Sequence, residues 1–260
     1  MMLASVPAYA DTSDIKASNN QIGLQYLSTD VNYSEYSSGT GLLDTEKGNV
    51  PGYSISTSLM KDVWLGNDYF EAQYNHNSGN TNYVGSPLLG SGAYGSVIGQ
   101  SSAALIDYSA RYGVGMELGS QFMATPYLEL GHHEWDRGVN YGENYTNNYY
   151  GIGVLGQYSP ADKLVLTGNV MVGNTFNSNI VVNSGPAIGG FSGALGNSTI
   201  YRYGVAADYA FTINVHANIG IDYTSFKYGM SAVYPVSGGI YEPASKTSYT
   251  TARIGIGYAF

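Results

Sequence analysis

From Ala252 to Phe260 every second residue is apolar: Ala252, Ile254, Ile256, Tyr258 and Phe260. The intervening face carries Thr251, Arg253, Gly255, Gly257 and Ala259. Alternation at period two is the mark of a β-strand with unlike surroundings on its two faces. A soluble strand turns its arginine and small residues to water, so the question is which face meets which solvent. The same pattern recurs along the chain. Ile106, Tyr108, Ala110, Tyr112, Val114, Met116 and Leu118 oppose Asp107, Ser109, Arg111, Gly113, Gly115 and Glu117. Tyr201, Tyr203, Val205, Ala207, Tyr209 and Phe211 oppose Arg202, Gly204, Ala206, Asp208 and Ala210. Phe70, Ala72 and Tyr74 oppose Glu71, Gln73 and Asn75, while Leu164, Leu166, Val170 and Val172 oppose Thr167, Asn169 and Met171.

With similar segments near 21–34, 50–64, 124–137, 146–158 and 216–228, the pattern predicts ten strands. Each has about the 9–11 residues that cross a bilayer at a tilt. Connections alternate between short (WLGND, GSQFMAT, SPAD, TINVHA) and long, the latter near 37–48, 78–102, 137–146, 176–199 and 229–247. That is up-and-down barrel topology with both termini on the short-turn side. Tyrosines at strand ends, such as Tyr150 with Tyr158 and Tyr201 with Tyr209, fit interfacial girdles. The expected fold is therefore an all-β, transmembrane, up-and-down antiparallel β-barrel of about ten strands, with eight or twelve as alternatives. Lipid is then the outer solvent, and Arg253 faces a polar lumen.

Composition narrows the function classes. Charged residues make up 11% of the chain, against about 25% in an ordinary soluble domain. The 26 tyrosines speak against disorder. A net charge of −9 with ten scattered Lys and Arg argues against nucleic acid. Without cysteine there is no disulfide framework or thiolate metal site. Residues 1–10, MMLASVPAYA, read as the remnant of a secretory signal peptide, leaving 11–260 as one barrel domain.

The terminal ARIGIGYAF, with Tyr258 and a final Phe260, resembles the C-terminal strand of small Gram-negative outer-membrane β-barrel proteins of the opacity and Ail type. The resemblance implies residence in the bacterial outer membrane with loops facing the exterior. It also implies that the barrel-assembly machinery reads Tyr258 and Phe260, and that lipid and lipopolysaccharide are partners. It does not imply an activity.

By parity the inward charges are Glu71, Asp107, Arg111, Glu117, Glu129, Arg202, Asp208, Asp222 and Arg253. They form either an ion-pair network that plugs the lumen or the charged constriction of a narrow pore. Abundant inward glycines, among them Gly113, Gly153 and Gly255, free volume that inward tyrosines could occupy. In GHHEWD, His132 and His133 face opposite sides and do not chelate one metal. A turn centred near Gln121 and Phe122 would set His133 opposite Arg111. With Glu134 and Asp136 this is the one neighbourhood for a rim hydrolase of the omptin kind. GIGVLG at Gly151–Gly156 matches GxGxxG but lies inside a strand, without the following helix a dinucleotide site needs. No cofactor is implied, and no calcium-loop spacing occurs.

Two long loops, VGSPLLGSGAYGSVIGQSSAALI and VVNSGPAIGGFSGALGNSTI, are uncharged, mildly apolar and similar in composition, and suit folding over the mouth or binding. The other long loops hold Asp44, Glu46, Glu143 and Glu242. In the first strand Ile22, Leu24 and Tyr26 share one parity and Val31 and Tyr33 the other, which predicts a bulge between them. Three functions follow in order: a non-enzymatic surface barrel acting through its loops in adhesion, host interaction or envelope structure; a narrow channel selected by Arg111, Arg202 and Arg253; and a hydrolase around His133.

Overall fold

The computed structural model describes residues 11–37, 41–87, 92–186, 188–236 and 238–260. The signal-peptide reading of residues 1–10 lies outside the described residues. The chain enters through one short helix, α1 (Thr12–Ser18), capped by Asp11, whose Oδ1 accepts from the Ser13 N–H at 2.7 Å. Ten long strands follow: β1 (Gln21–Ser37), β2 (Gly41–Lys61), β3 (Asp68–Gly85), β4 (Val97–Val114), β6 (Phe122–Arg137), β7 (Glu143–Ala161), β8 (Leu164–Val182), β10 (Thr199–Ala210), β11 (Val215–Tyr228) and β12 (Ala244–Ala259). Two short strands, β5 (Met116–Glu117) and β9 (Phe191–Ala194), pair beside β6 and β8. Each long strand pairs antiparallel with its neighbour, and β12 pairs with β1 while β8 pairs with β10. The barrel is closed, ten-stranded and up-and-down.

The outward belt is apolar and faces lipid. Ile22 and Leu24 on β1, Leu128 and Leu130 on β6, Ile152 on β7, Val205 on β10 and Ile256 on β12 are all more than half exposed. Aromatic pairs rim it, as interfacial girdles do. Tyr108 stacks on His132 at 4.8 Å and Tyr203 on Tyr223 at 4.9 Å towards the long loops, and Phe122 stacks on Tyr158 at 4.3 Å near the short turns.

The strands are longer than the bilayer requires, and this corrects two expectations. Much of what reads as long loop is strand: residues 41–48 belong to β2 and 78–85 to β3. The expected bulge between Tyr26 and Val31 is absent, because β1 stays in register with β12 through Tyr36. Ile22, Leu24 and Tyr26 point out, and Val31 and Tyr33 point in, fully buried. Above Tyr26 the outward side chains are Ser28, Asp30, Asn32 and Ser34, with Tyr36 at the end of the strand. Outside the bilayer the outer solvent is water, so the apolar residues cross to the inner face while the strand itself runs on unbroken.

The two similar loops part ways. In 181–200, Ile188 and Leu195 are buried and Phe191 stacks on Tyr234 at 4.9 Å, so this segment folds over the mouth. In 84–106, the described part holds Ile98, 76% exposed, and Tyr94, bonded to Thr45 Oγ1 at 3.0 Å, while Ala103 and Leu105 are buried on β4.

Candidate functional site

Three layers of side chains cross the lumen. At the short-turn end α1 is held inside the barrel mouth. Ile15 is fully buried, Asn19 and Gln157 exchange amide hydrogen bonds at 2.8 and 3.0 Å, and Lys16 pairs with Glu117 at 2.9 Å. Glu117 therefore sits at the rim, apart from the other inward charges.

At mid-height Glu129 is 1% exposed and accepts from Arg111 Nε and Arg202 Nη1, each at 2.5 Å, and from the Tyr149 hydroxyl at 2.8 Å. Arg111 also reaches Glu71 at 3.4 Å, and Arg253 pairs with Asp222 at 3.3 Å. Arg111 and Arg202 lie over the rings of Tyr127 and Tyr149. Two polar cavities of about 150 and 80 Å³ share Gln73, Arg111, Asp222 and Arg253 in their walls, so this charged layer stands between them. Inward tyrosines do occupy the space left by glycines. A Cβ at Gly153 would lie 2.4 Å from the Tyr127 ring, and one at Gly131 would lie 2.3 Å from that of Tyr149.

The remaining sequence candidates pair with histidines. Asp208 binds His216 Nδ1 at 2.5 Å near α1, and Asp107 binds His133 Nδ1 at 2.7 Å. The expected register of His133 opposite Arg111 is corrected by four residues. β5 pairs Glu117 with Met123, which sets Arg111 opposite Glu129 and His133 opposite Asp107. The Tyr249 hydroxyl lies 2.9 Å from His133 Nε2, so with Nδ1–H given to Asp107 both ring nitrogens are engaged. Glu134 and Asp136 face outward and share the Asn144 amide at 2.7 Å each. The His133–Glu134–Asp136 neighbourhood is thus split between the two faces of β6. Tyr258 and Phe260 are exposed on the outside at the short-turn end.

Towards the long-loop end Tyr33, Trp135, Tyr145 and Tyr228 fill the barrel, with Tyr33 and Trp135 ring centres 5.1 Å apart. On this aromatic layer lies Arg137, the one arginine that sequence reasoning left out. Its Nε pairs with Glu46 at 2.8 Å, its Nη1 with Glu143 at 2.9 Å and Glu35 at 3.2 Å, and its Nη2 meets Asp44 at 3.5 Å. The guanidinium stands 4.3 Å from the Tyr33 ring centre. Glu242 accepts from Tyr145 beside them. Five carboxylates thus surround one guanidinium, and full ionisation would leave a charge of −4.

Their protonation reflects that excess. Burial, then the neighbouring Glu35 charge, pushes Asp44 up to about 8 despite Arg137. Burial raises Glu143 to about 7 against the pull of Arg137, and raises Glu242 well above the usual carboxylate range. The cluster borders a cavity of about 320 Å³ at the long-loop end, lined by Glu35, Asp44, Glu143 and Glu242 and by apolar residues of the 181–200 segment.

No protein-family model and no curated protein matches the chain. Among solved structures, the outer membrane protease OmpT of Escherichia coli is similar at 13% identity and a TM-score of 0.59, covering 92% of this chain and 95% of that one. The attachment invasion locus protein Ail of Yersinia pestis matches at 11% identity and a TM-score of 0.33, covering 93% and 99%. OprG of Pseudomonas aeruginosa matches at 13% and 0.38, covering 93% and 98%. The fold is that of a small outer-membrane β-barrel. At these identities the likeness carries the fold and no activity.

Proposed function

We propose that this is a non-enzymatic barrel of a bacterial outer membrane, with its long-loop end outward, acting by contacts at that end in adhesion, host interaction or envelope structure. The observation that carries the reading is the set of three side-chain layers across the lumen, α1, the Glu129 layer and the aromatic layer, with a lined cavity at the long-loop end beyond them. A pore of this strand number has little interior to spare once side chains fill it. Lipid and lipopolysaccharide surround the belt, and Tyr258 and Phe260 serve the barrel-assembly machinery.

A narrow channel is the second reading, favoured by the two polar cavities on either side of the arginine layer. It requires that layer to open. A hydrolase at His133 is the third, and the Asp107–His133–Tyr249 chain is its one support. There His133 is 2% exposed and borders a cavity of about 80 Å³, too small to admit a peptide.

The test is surface labelling. With an epitope inserted in the exposed turn at Ala93–Ser96, antibody should label intact cells. Labelling only after permeabilisation would overturn the orientation, and with it the surface role.

A further inference from the structure

We propose that the long-loop cavity binds a small organic cation, an amine or guanidinium carried on an apolar or aromatic body. This deepens the reading of the long-loop end as the binding end and rests on it. The cavity, about 320 Å³, falls at the lower end of the range used by small-molecule sites, about 300–1,000 Å³.

Charge selects the sign of the ligand. Glu35 from β1, Asp44 from β2, Glu143 from β7 and Glu242 from the loop before β12 all border the space. Arg137, with a fully buried side chain, lies beneath them and does not line it. One guanidinium cannot balance all of these carboxyls, so acidic groups border the cavity in excess and give up protons as a cation arrives. A second observation is independent of that count. Asp44 is 3% exposed, and its Oδ1 has no hydrogen-bond partner among the described residues. Arg137 Nη2, 3.5 Å from Asp44, is likewise without a hydrogen-bond partner among the described residues, so the ionised form of Asp44 is poorly satisfied by its neighbours and a ligand N–H would donate to it.

The walls select the body of the ligand. Phe191, Ile188, Ile240 and Val182 are apolar, and Tyr83 and Tyr241 present rings to which a cation is attracted. A bare metal ion would gain nothing from such walls. It also needs converging oxygens, and no group of three or more His, Asp or Glu among the described residues is disposed to hold one. The protons held on Asp44 and Glu143 near neutrality are what an ammonium group would displace, so binding strengthens as pH rises from 6 to 8.

The experiment uses the full chain refolded in detergent with Trp64→Phe, which leaves Trp135 as its one tryptophan. Trp135 stands 5.1 Å from the Arg137 guanidinium and reports on the floor of the site. Titration with 2-phenylethylammonium at pH 8 should give a saturable change in emission. 2-Phenylethanol should give none. Asp44→Asn and Glu143→Gln should each weaken binding about tenfold, the scale of one charged hydrogen bond. Asp136→Asn, on the outer face, should leave it unchanged. Heat-dependent gel mobility verifies that each variant is folded, and either inner variant suffices if the other is not. No response to 2-phenylethylammonium, an equal response to 2-phenylethanol, or a saturable response to calcium chloride that blocks the amine would each overturn the proposal. The titration is made in micelles and is indifferent to orientation, so its failure leaves the surface role standing. A failed surface labelling leaves the site standing in turn.

Discussion

Glu129, 1% exposed, ties Arg111, Arg202 and Tyr149 together in the barrel interior. Removing one member of such a set leaves the others charged and unpaired, which costs about 3–5 kcal/mol. Glu129→Ala should therefore lower unfolding free energy on that scale in detergent or lipid, and Glu129→Gln by less, since its amide oxygen still accepts. Asp44 makes the pH prediction. Its folded value of about 8 stands above its ordinary 3.8. A carboxyl raised in the folded state contributes stability that is fully present below the ordinary value and lost as pH climbs through the folded one. Resistance to unfolding should fall between pH 4 and 8 and then level off. Asp44→Asn should flatten the slope, as measured by Trp135 emission in the Trp64→Phe background. The charges at Glu71, Asp107, Arg111, Glu129, Arg202, Asp208, Asp222 and Arg253 were legible as inward because parity alone places them. Arg137 was not, because it lies where the outer face of β6 has already turned polar, with Glu134 and Asp136 beside it.

At the scale of the element, β1 shows why the long-loop half of the barrel was hard to read. A strand inside the bilayer is apolar outward, and the same strand in water is apolar inward. Tyr26 and Val31 stand on either side of that change, which in sequence looks identical to a bulge. The β4–β6 register was missed for a different reason. The reversal after Gly115 carries β5, whose pairing of Met116 with Ala124 moves the turn centre and shifts His133 to Asp107. Packing of β6 against β7 gives this scale its prediction. A methyl at Gly153 would lie 2.4 Å from the Tyr127 ring and 2.6 Å from the Val170 carbonyl oxygen. Gly153→Ala should cost about 1–3 kcal/mol through overpacking. Gly156→Ala, with nothing within 4 Å of its Cβ, should be close to neutral. Unfolding in urea of the two variants side by side checks the difference.

The whole molecule is a closed ten-stranded cylinder crossed at three heights by layers of side chains. The closed ten-stranded wall follows from alternation and from alternating connection lengths, both local properties of the chain. The cup around Arg137 follows from neither. It gathers Glu35, Asp44, Glu46, Glu143 and Glu242 from four separate parts of the chain, which only closure of the barrel brings together. The same closure sets the lumen ion pairs between strands that are distant in sequence, so a plug and a pore read alike until the partners are placed. Single-channel conductance of the refolded protein in a planar bilayer tests the central claim most directly, with Arg111→Ala/Arg253→Ala beside it. The wild-type chain, verified as inserted, should give no discrete steps, and the double variant should stay silent while α1 and the aromatic layer hold. Discrete, ion-selective steps in the wild type, altered by the double variant, would contradict the closed lumen and make the arginines a filter.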